Sequence, residues 1–190
     1  MEIKKINNKV SIFWSVSLVL LYSLLMAEYF DKVNKEVISL QDIDISIYSS
    51  ISTFNFVITI LIVFSVWLMS SFLFHLFAYL LNGDIEVNFR CFIKYTGALY
   101  IFPAFGFAIS IYLFGNLNLP QVDTLEFLEV NKTMAIIGWV INISSLLAFF
   151  FVIPIVKYLY KINWLEAIGS IIIPIGLIYI LSLFFSGSIL

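Results

Sequence analysis

Long stretches without charge dominate the chain, and they constrain its fold more than any other feature. Five such stretches lie at about residues 10–29, 51–81, 95–115, 134–156 and 167–190. A helix rises ~1.5 Å per residue, so ~20 apolar residues cross a hydrocarbon core of ~30 Å. The alternation typical of membrane β-barrels is missing. We therefore predict an all-α, polytopic integral membrane protein with five transmembrane helices, forming a single membrane domain over residues 1–190.

The composition excludes the main alternatives to a membrane protein. Hydrophobic residues make up 62% of the chain and charged residues 12%. In a soluble domain roughly 45–50% of the residues are apolar and about 25% are charged. A chain this apolar is neither a soluble globular domain nor intrinsically disordered. With a net charge of −2 the chain has no overall positive electrostatic potential. The expected partner is therefore the lipid bilayer and not nucleic acid.

Lysine and arginine residues are unevenly distributed between the predicted connections. The N-terminal tail and the connections 82–94 and 157–166 hold seven of them, and the connections 31–50 and 116–133 hold three. The positive-inside rule therefore predicts that the N-terminus is inside and the C-terminus outside. The first apolar run is longer than the ~7–15 residues of a signal-peptide core, so we expect a retained helix.

Three connections have patterns of their own. In 31–50, apolar and polar residues alternate from Ile43 onward, which predicts an extended or interfacial stretch. The connection 119–130 has the apolar and acidic residues of a short interfacial helix, with Thr124 as its cap. The connection 82–94 begins with an Asn-Gly turn signal and then alternates, which fits an extended or a short amphipathic element.

No catalytic or cofactor-binding motif is recognisable. One His and one Cys cannot supply the usual zinc ligands. Neither a phosphate-binding glycine loop, nor a nucleophile elbow, nor a His-Glu-x-x-His sequence occurs. We therefore expect a protein that is not an enzyme, with no catalytic residue, cofactor or metal ion.

Three polar side chains within the spans are candidates for function or packing. His75 is an intramembrane ionisable residue, which is a functional hypothesis by default. The structural interpretation is favoured, because no second charge lies in any span: a neutral imidazole would then bond a neighbouring helix or reach headgroups. For Asn55 and Asn142 we expect buried amides that form interhelical hydrogen bonds, and a contact with a substrate is the alternative.

Small residues recur on the last three predicted spans, where they let helices approach closely. They are Gly97, Gly106, Ser110, Gly115, Gly138, Ser144, Ser145, Gly169, Ser170 and Gly176. Ordinary packing within one bundle is the favoured interpretation, since no clean Gly-x-x-x-Gly pair occurs. A dimer interface is the alternative, and the sequence leaves the oligomeric state open.

Two stretches, 71–115 and 137–180, each show a distinctive order of residues. The first begins with an apolar helix that contains His75, followed by a turn with Gly83. A short polar segment with the aromatic residue Phe89 comes next, and then a helix in which Tyr95 is followed eight residues later by Pro103. The second has a Trp-bearing helix, a basic aromatic connection and a final helix opened by Ala and containing Pro: Trp139, Lys157, Tyr160, Ala167 and Pro174. In these features the two stretches resemble the Yip1 family of five-span membrane proteins. The resemblance covers about the last 120 of the 190 residues.

The resemblance implies a function. The eukaryotic branch has a long cytoplasmic N-terminal region, whereas nine residues precede the first span here, so the short bacterial form is more similar. It implies an accessory protein that binds another membrane protein, such as an ABC exporter, or that contributes to resistance against toxic peptides. The alternative is a small transporter or channel. The implied location is the cytoplasmic membrane of a bacterium, or an endoplasmic reticulum or Golgi membrane in a eukaryote.

The two inner connections are aromatic and basic, and such side chains tend to dominate binding energy at protein interfaces. The candidate partner-binding residues are Phe89, Arg90, Phe92, Tyr95, Lys161 and Trp164. Anchoring at the level of the lipid headgroups is the alternative role for these residues.

Overall fold

The computed structural model describes residues 11–39, 45–81, 87–117 and 124–187, and no strand occurs within these ranges. The described helices are α1 (Ile12–Ser39), α2 (Ile45–Leu80), α3 (Phe89–Ala98), α4 (Ile101–Gly115), α5 (Thr124–Tyr160) and α6 (Trp164–Gly187). The prediction of an all-α protein is therefore confirmed for the described part of the chain.

Several of these helices are long and apolar enough to cross a bilayer. In the described residues four stretches meet this condition by length and composition, namely Ile12–Glu36, Ile51–Leu80, Phe89–Gly115 and Val130–Tyr160. α6 has 24 residues, of which Trp164–Ile180 form a shorter apolar stretch. Four or five helices are thus compatible with membrane spans, consistent with a multi-pass membrane protein.

Helix α1 and helix α2 extend further than the predicted spans. α1 continues to Ser39 and α2 already begins at Ile45, so the expectation of an extended stretch is wrong for residues 45–50. In α1 the extra turns have ion pairs four residues apart, Glu28 with Lys32 at 3.3 Å and Asp31 with Lys35 at 2.6 Å. Such pairs stabilise a helix beyond the apolar run.

Helix α5 includes most of the segment 119–130, which was predicted to form a separate interfacial helix. Its 37 residues start at Thr124 and run without interruption to Tyr160, so the expected short interfacial helix is instead the first part of α5. At ~1.5 Å per residue α5 is ~55 Å long, well beyond a hydrocarbon core of ~30 Å.

The predicted third span, 95–115, is divided into two helices. α3 ends at Ala98 and α4 begins at Ile101. Pro103 explains the interruption, because it has no N–H to donate to the Leu99 carbonyl and its ring clashes with that group. Pro154 and Pro174 lie inside α5 and α6, which both continue through them.

The chain folds into two compact units. Unit 1 comprises Met1–Ser15, Val66–Leu99 and Phe149–Leu190, and unit 2 comprises Val16–Ser65 and Tyr100–Ala148. The core of unit 1 brings together the second half of α2, α3, the end of α5 and the start of α6. Its buried residues are Phe74, Ala78, Val87, Phe92, Val152, Val156, Tyr160, Ile162, Ala167 and Ile171.

Unit 2 has an aromatic core of its own. Tyr29, Phe107, Phe114 and Ile137 are its buried members, and the Tyr29 and Phe107 rings meet edge to face at 5.6 Å. Helices α4 and α5 approach closely within this unit. A Cβ atom added at Gly106 would lie 2.7 Å from the Ser144 Cβ atom, which a rotation of the Ser144 hydroxyl cannot relieve, so a larger residue requires one helix to shift.

Candidate functional site

His75 lies at the centre of an aromatic cluster in unit 1. Its Nδ1 atom is hydrogen-bonded to the hydroxyl group of Tyr160, which joins α2 to α5. Three rings surround the imidazole, with centroid distances of 5.4 Å to Phe89, 5.7 Å to Tyr160 and 6.3 Å to Phe92. The structural interpretation of His75 predicts a contact of this kind, in which a neutral imidazole forms a hydrogen bond with a neighbouring helix.

A buried polar network lies along α3, and sequence reasoning missed it. The Thr96 hydroxyl donates to the Ile93 carbonyl at 3.2 Å and accepts from the Trp67 indole N–H at 3.3 Å. Since the threonine has a single hydroxyl proton, Ser71 must donate its own to Thr96 across 2.8 Å. The hydroxyl of Ser15 donates to the Lys94 carbonyl. Hydrogen bonds therefore tie α3 to α2 and to the start of α1.

The turn between α5 and α6 is locally well defined. Lys161 has φ 55°, the left-handed conformation that often ends a helix. Asn163 and Glu166 then form a reciprocal capping box. The Asn163 side chain accepts from the Glu166 backbone N–H at 2.9 Å, and the Glu166 carboxylate accepts from the Asn163 backbone N–H at 2.9 Å. This box fixes the start of α6 and with it Trp164. The Asn-x-x-Glu spacing was the sequence signal for it.

Aromatic and basic side chains are exposed at this end of unit 1. Tyr158 is 69% exposed and Trp164 is 50% exposed. The Lys157 ammonium group lies 4.2 Å from the centre of a Trp164 ring, a cation–π contact that fixes the indole. We call the exposed residues Arg90, Tyr158, Lys161 and Trp164 the aromatic–basic surface.

Arg90 belongs to this surface through the position of α3. The Asn88 side chain caps α3 by accepting from the Arg90 backbone N–H at 2.9 Å. The neighbouring Phe89 packs against the His75 ring, which is bonded to Tyr160 at the end of α5. The start of α3 and the end of α5 therefore meet at the His75 cluster.

The other predicted partner-binding residues have different surroundings. Phe92 is 0% exposed and packs edge to face on Tyr160, so it stabilises the core and is not available to a partner. Phe89 and Tyr95 are half-buried. Phe89 contacts the Phe72 ring as well as His75.

The remaining candidate residues from the Yip1-like stretches are either buried or lie outside the residues that the structure describes. Ala167 is 0% exposed, and Pro174 is among the fully buried side chains. Pro103 is buried in the first turn of α4. Gly83 lies outside the described residues.

Asn55 and Asn142 differ from expectation, because both residues are exposed and not buried. Asn55 lies beside a small polar cavity in unit 2 of about 20 Å³, enough for about one water molecule. Its lining residues are Ala27, Phe30, Asp31, Asn34, Ser52, Asn55, Phe56 and Thr59. The Ser52 hydroxyl donates to the Asp31 carboxylate, which also pairs with Lys35.

No protein-family model, curated protein or solved structure matches the chain. The resemblance to the Yip1 family therefore stays a prediction from the residues of stretches 71–115 and 137–180.

Proposed function

We propose that this chain is a non-enzymatic accessory protein of the cell membrane, related to the Yip1 family, which binds another membrane protein. The supporting observation is the aromatic–basic surface at one end of unit 1. It presents two exposed aromatic rings, on Tyr158 and Trp164, together with the cations Arg90 and Lys161.

The presentation of Trp164 favours binding to a protein over simple anchoring. The Lys157 ammonium group contacts its indole, and the capping box of Asn163 and Glu166 defines the backbone at the start of α6 from which it projects. A side chain that is already ordered loses little conformational entropy when it docks. Tryptophan and arginine, both of which are exposed here, are also residue types that interface hot spots favour.

The orientation of the chain is part of the proposal. Five spans with the N-terminus inside place both basic connections, and with them Arg90 and Lys161, on the cytoplasmic side. The partner would then be a membrane protein with acidic and apolar side chains at its cytoplasmic edge. An ABC exporter, or a target of a toxic peptide, is the class of partner that the resemblance implies.

The test is co-purification from mild detergent. A triple variant, R90A with K161A and W164A, should lose the partner that the unchanged chain retains, while its thermal unfolding stays the same. W139A is the control, since Trp139 is an even more exposed tryptophan (67%, against 50% for Trp164) and lies in unit 2. If the triple variant lowers stability and expression but keeps its partner, the residues are headgroup anchors and the proposal is wrong.

A small transporter or channel is the second candidate. One feature favours it, the interruption between α3 and α4, because transporters use broken helices. Purified protein in liposomes decides between the two functions. Movement of an ion or solute above the rate of empty vesicles would replace the accessory function with transport.

A further inference from the structure

Asn142 lies at a depth where lipid offers no hydrogen bonds. It follows Lys132 by ten residues and precedes Lys157 by fifteen on the continuous helix α5. At ~1.5 Å per residue these separations are ~15 Å and ~22 Å. If the two lysines lie at or beyond the edges of a hydrocarbon core of ~30 Å, Asn142 is inside that core.

The Asn142 side chain is exposed, and no described residue forms a hydrogen bond with its amide. Other polar side chains of α4 and α5 differ in this respect. The Ser144 and Ser145 hydroxyls donate to the Ile141 carbonyl at 2.9 Å and 2.8 Å, and the Asn116 amide donates to the Tyr112 carbonyl at 3.0 Å. An unpaired amide in hydrocarbon is unfavourable, so its partner is expected on another molecule.

The helix face around Asn142 has room for a second helix. Ala135, Gly138, Asn142 and Ser145 follow one another at intervals of three, four and three residues, the spacing of a helix–helix seam. No atom lies within 4 Å of a Cβ atom added at Gly138. Small residues at such a seam allow two backbones to approach closely.

We propose that the chain forms a symmetric dimer in which this face of α5 packs against the same face of a second copy. A primary amide both donates and accepts, so Asn142 can pair with Asn142 of the partner subunit. Two copies inserted with the same topology have this residue at the same depth. In an isologous twofold interface each copy contributes the same face, so the two Asn142 amides meet.

The first test measures dimerisation in liposomes by energy transfer between labelled copies. The N142L variant should weaken the dimer by about three- to thirtyfold, the range for hydrogen bonds between membrane helices. N142Q keeps an amide and should retain most of the association. The matched control is N131L, because Asn131 is exposed on the same helix face about three turns earlier but lies next to Lys132 at the edge of the core.

The second test maps the interface by disulfide cross-linking in membranes. With the buried Cys91 replaced by Ala, A135C should cross-link to a second copy, whereas I136C should not, because adjacent positions point ~100° apart. A chain that stays monomeric at all protein-to-lipid ratios, or a dimer unaffected by N142L, would overturn the proposal. A lower thermal stability of the N142L monomer would do the same, because it would reveal a partner for Asn142 within the chain.

Discussion

At the scale of single residues, the bond between His75 and Tyr160 joins α2 to α5 within unit 1. Y160F removes the hydroxyl and leaves the imidazole unpaired, so we expect a loss of about 0.5–1.5 kcal/mol in unfolding free energy. H75Q keeps a side chain that can accept this bond, and should reduce stability only modestly while co-purification of the partner persists. Thermal unfolding in detergent measures both variants. Loss of the partner from H75Q at an unchanged melting temperature would instead assign a functional role to the imidazole.

A second prediction at this scale concerns the contact between α4 and α5 in unit 2. G106A places a Cβ atom 2.0 Å from the Ser144 hydroxyl oxygen and 2.7 Å from its Cβ atom, so one helix must shift. Overpacking of this kind typically costs about 1–3 kcal/mol, and the additional change S144G should recover most of it. G176A is the control, because no atom lies within 4 Å of a Cβ atom added there. Equal melting temperatures for G106A and G176A would contradict the close approach.

At the scale of secondary structure elements, the start of α6 depends on the capping box of Asn163 and Glu166. N163A should destabilise the protein by about 0.5–2 kcal/mol, while N163D retains a capping oxygen and should cost much less. Thermal unfolding gives the cost, and co-purification should show weaker partner binding for N163A, since the same box positions Trp164. Unchanged binding by N163A would mean that the orientation of Trp164 does not depend on this cap.

The elements also show which features the sequence could predict. Apolar runs were sufficient to predict all-α structure, because helices satisfy their own backbone groups in lipid. The ends of α1 and α2 were missed, although the i,i+4 pairing of Asp31 with Lys35 is visible in the sequence. The pairing of His75 with Tyr160 was not predictable, since these residues are 85 positions apart and meet only through tertiary packing. For the same reason Phe92 was predicted at a surface, although it lies in a core.

At the scale of the whole molecule, the number of spans and their orientation can be decided together. The uneven distribution of Lys and Arg predicts that the N-terminus is inside, and an odd number of spans then places the C-terminus outside. Reporter fusions at Glu2, Gly83 and Lys161 should indicate the cytoplasm, and fusions at Asp42, Glu126 and Leu190 should indicate the exterior.

The fusion at Leu190 is the decisive one, because the apolar stretch described for α6, Trp164–Ile180, is shorter than the four stretches that are long enough to cross a membrane. Its full 24 residues correspond to ~36 Å, enough to cross a core of ~30 Å. A cytoplasmic signal at Leu190 combined with the expected signals at the other sites would leave four spans, with α6 on the inner surface. An external signal at Gly83 would contradict the orientation itself, and would move the aromatic–basic surface away from any cytoplasmic partner.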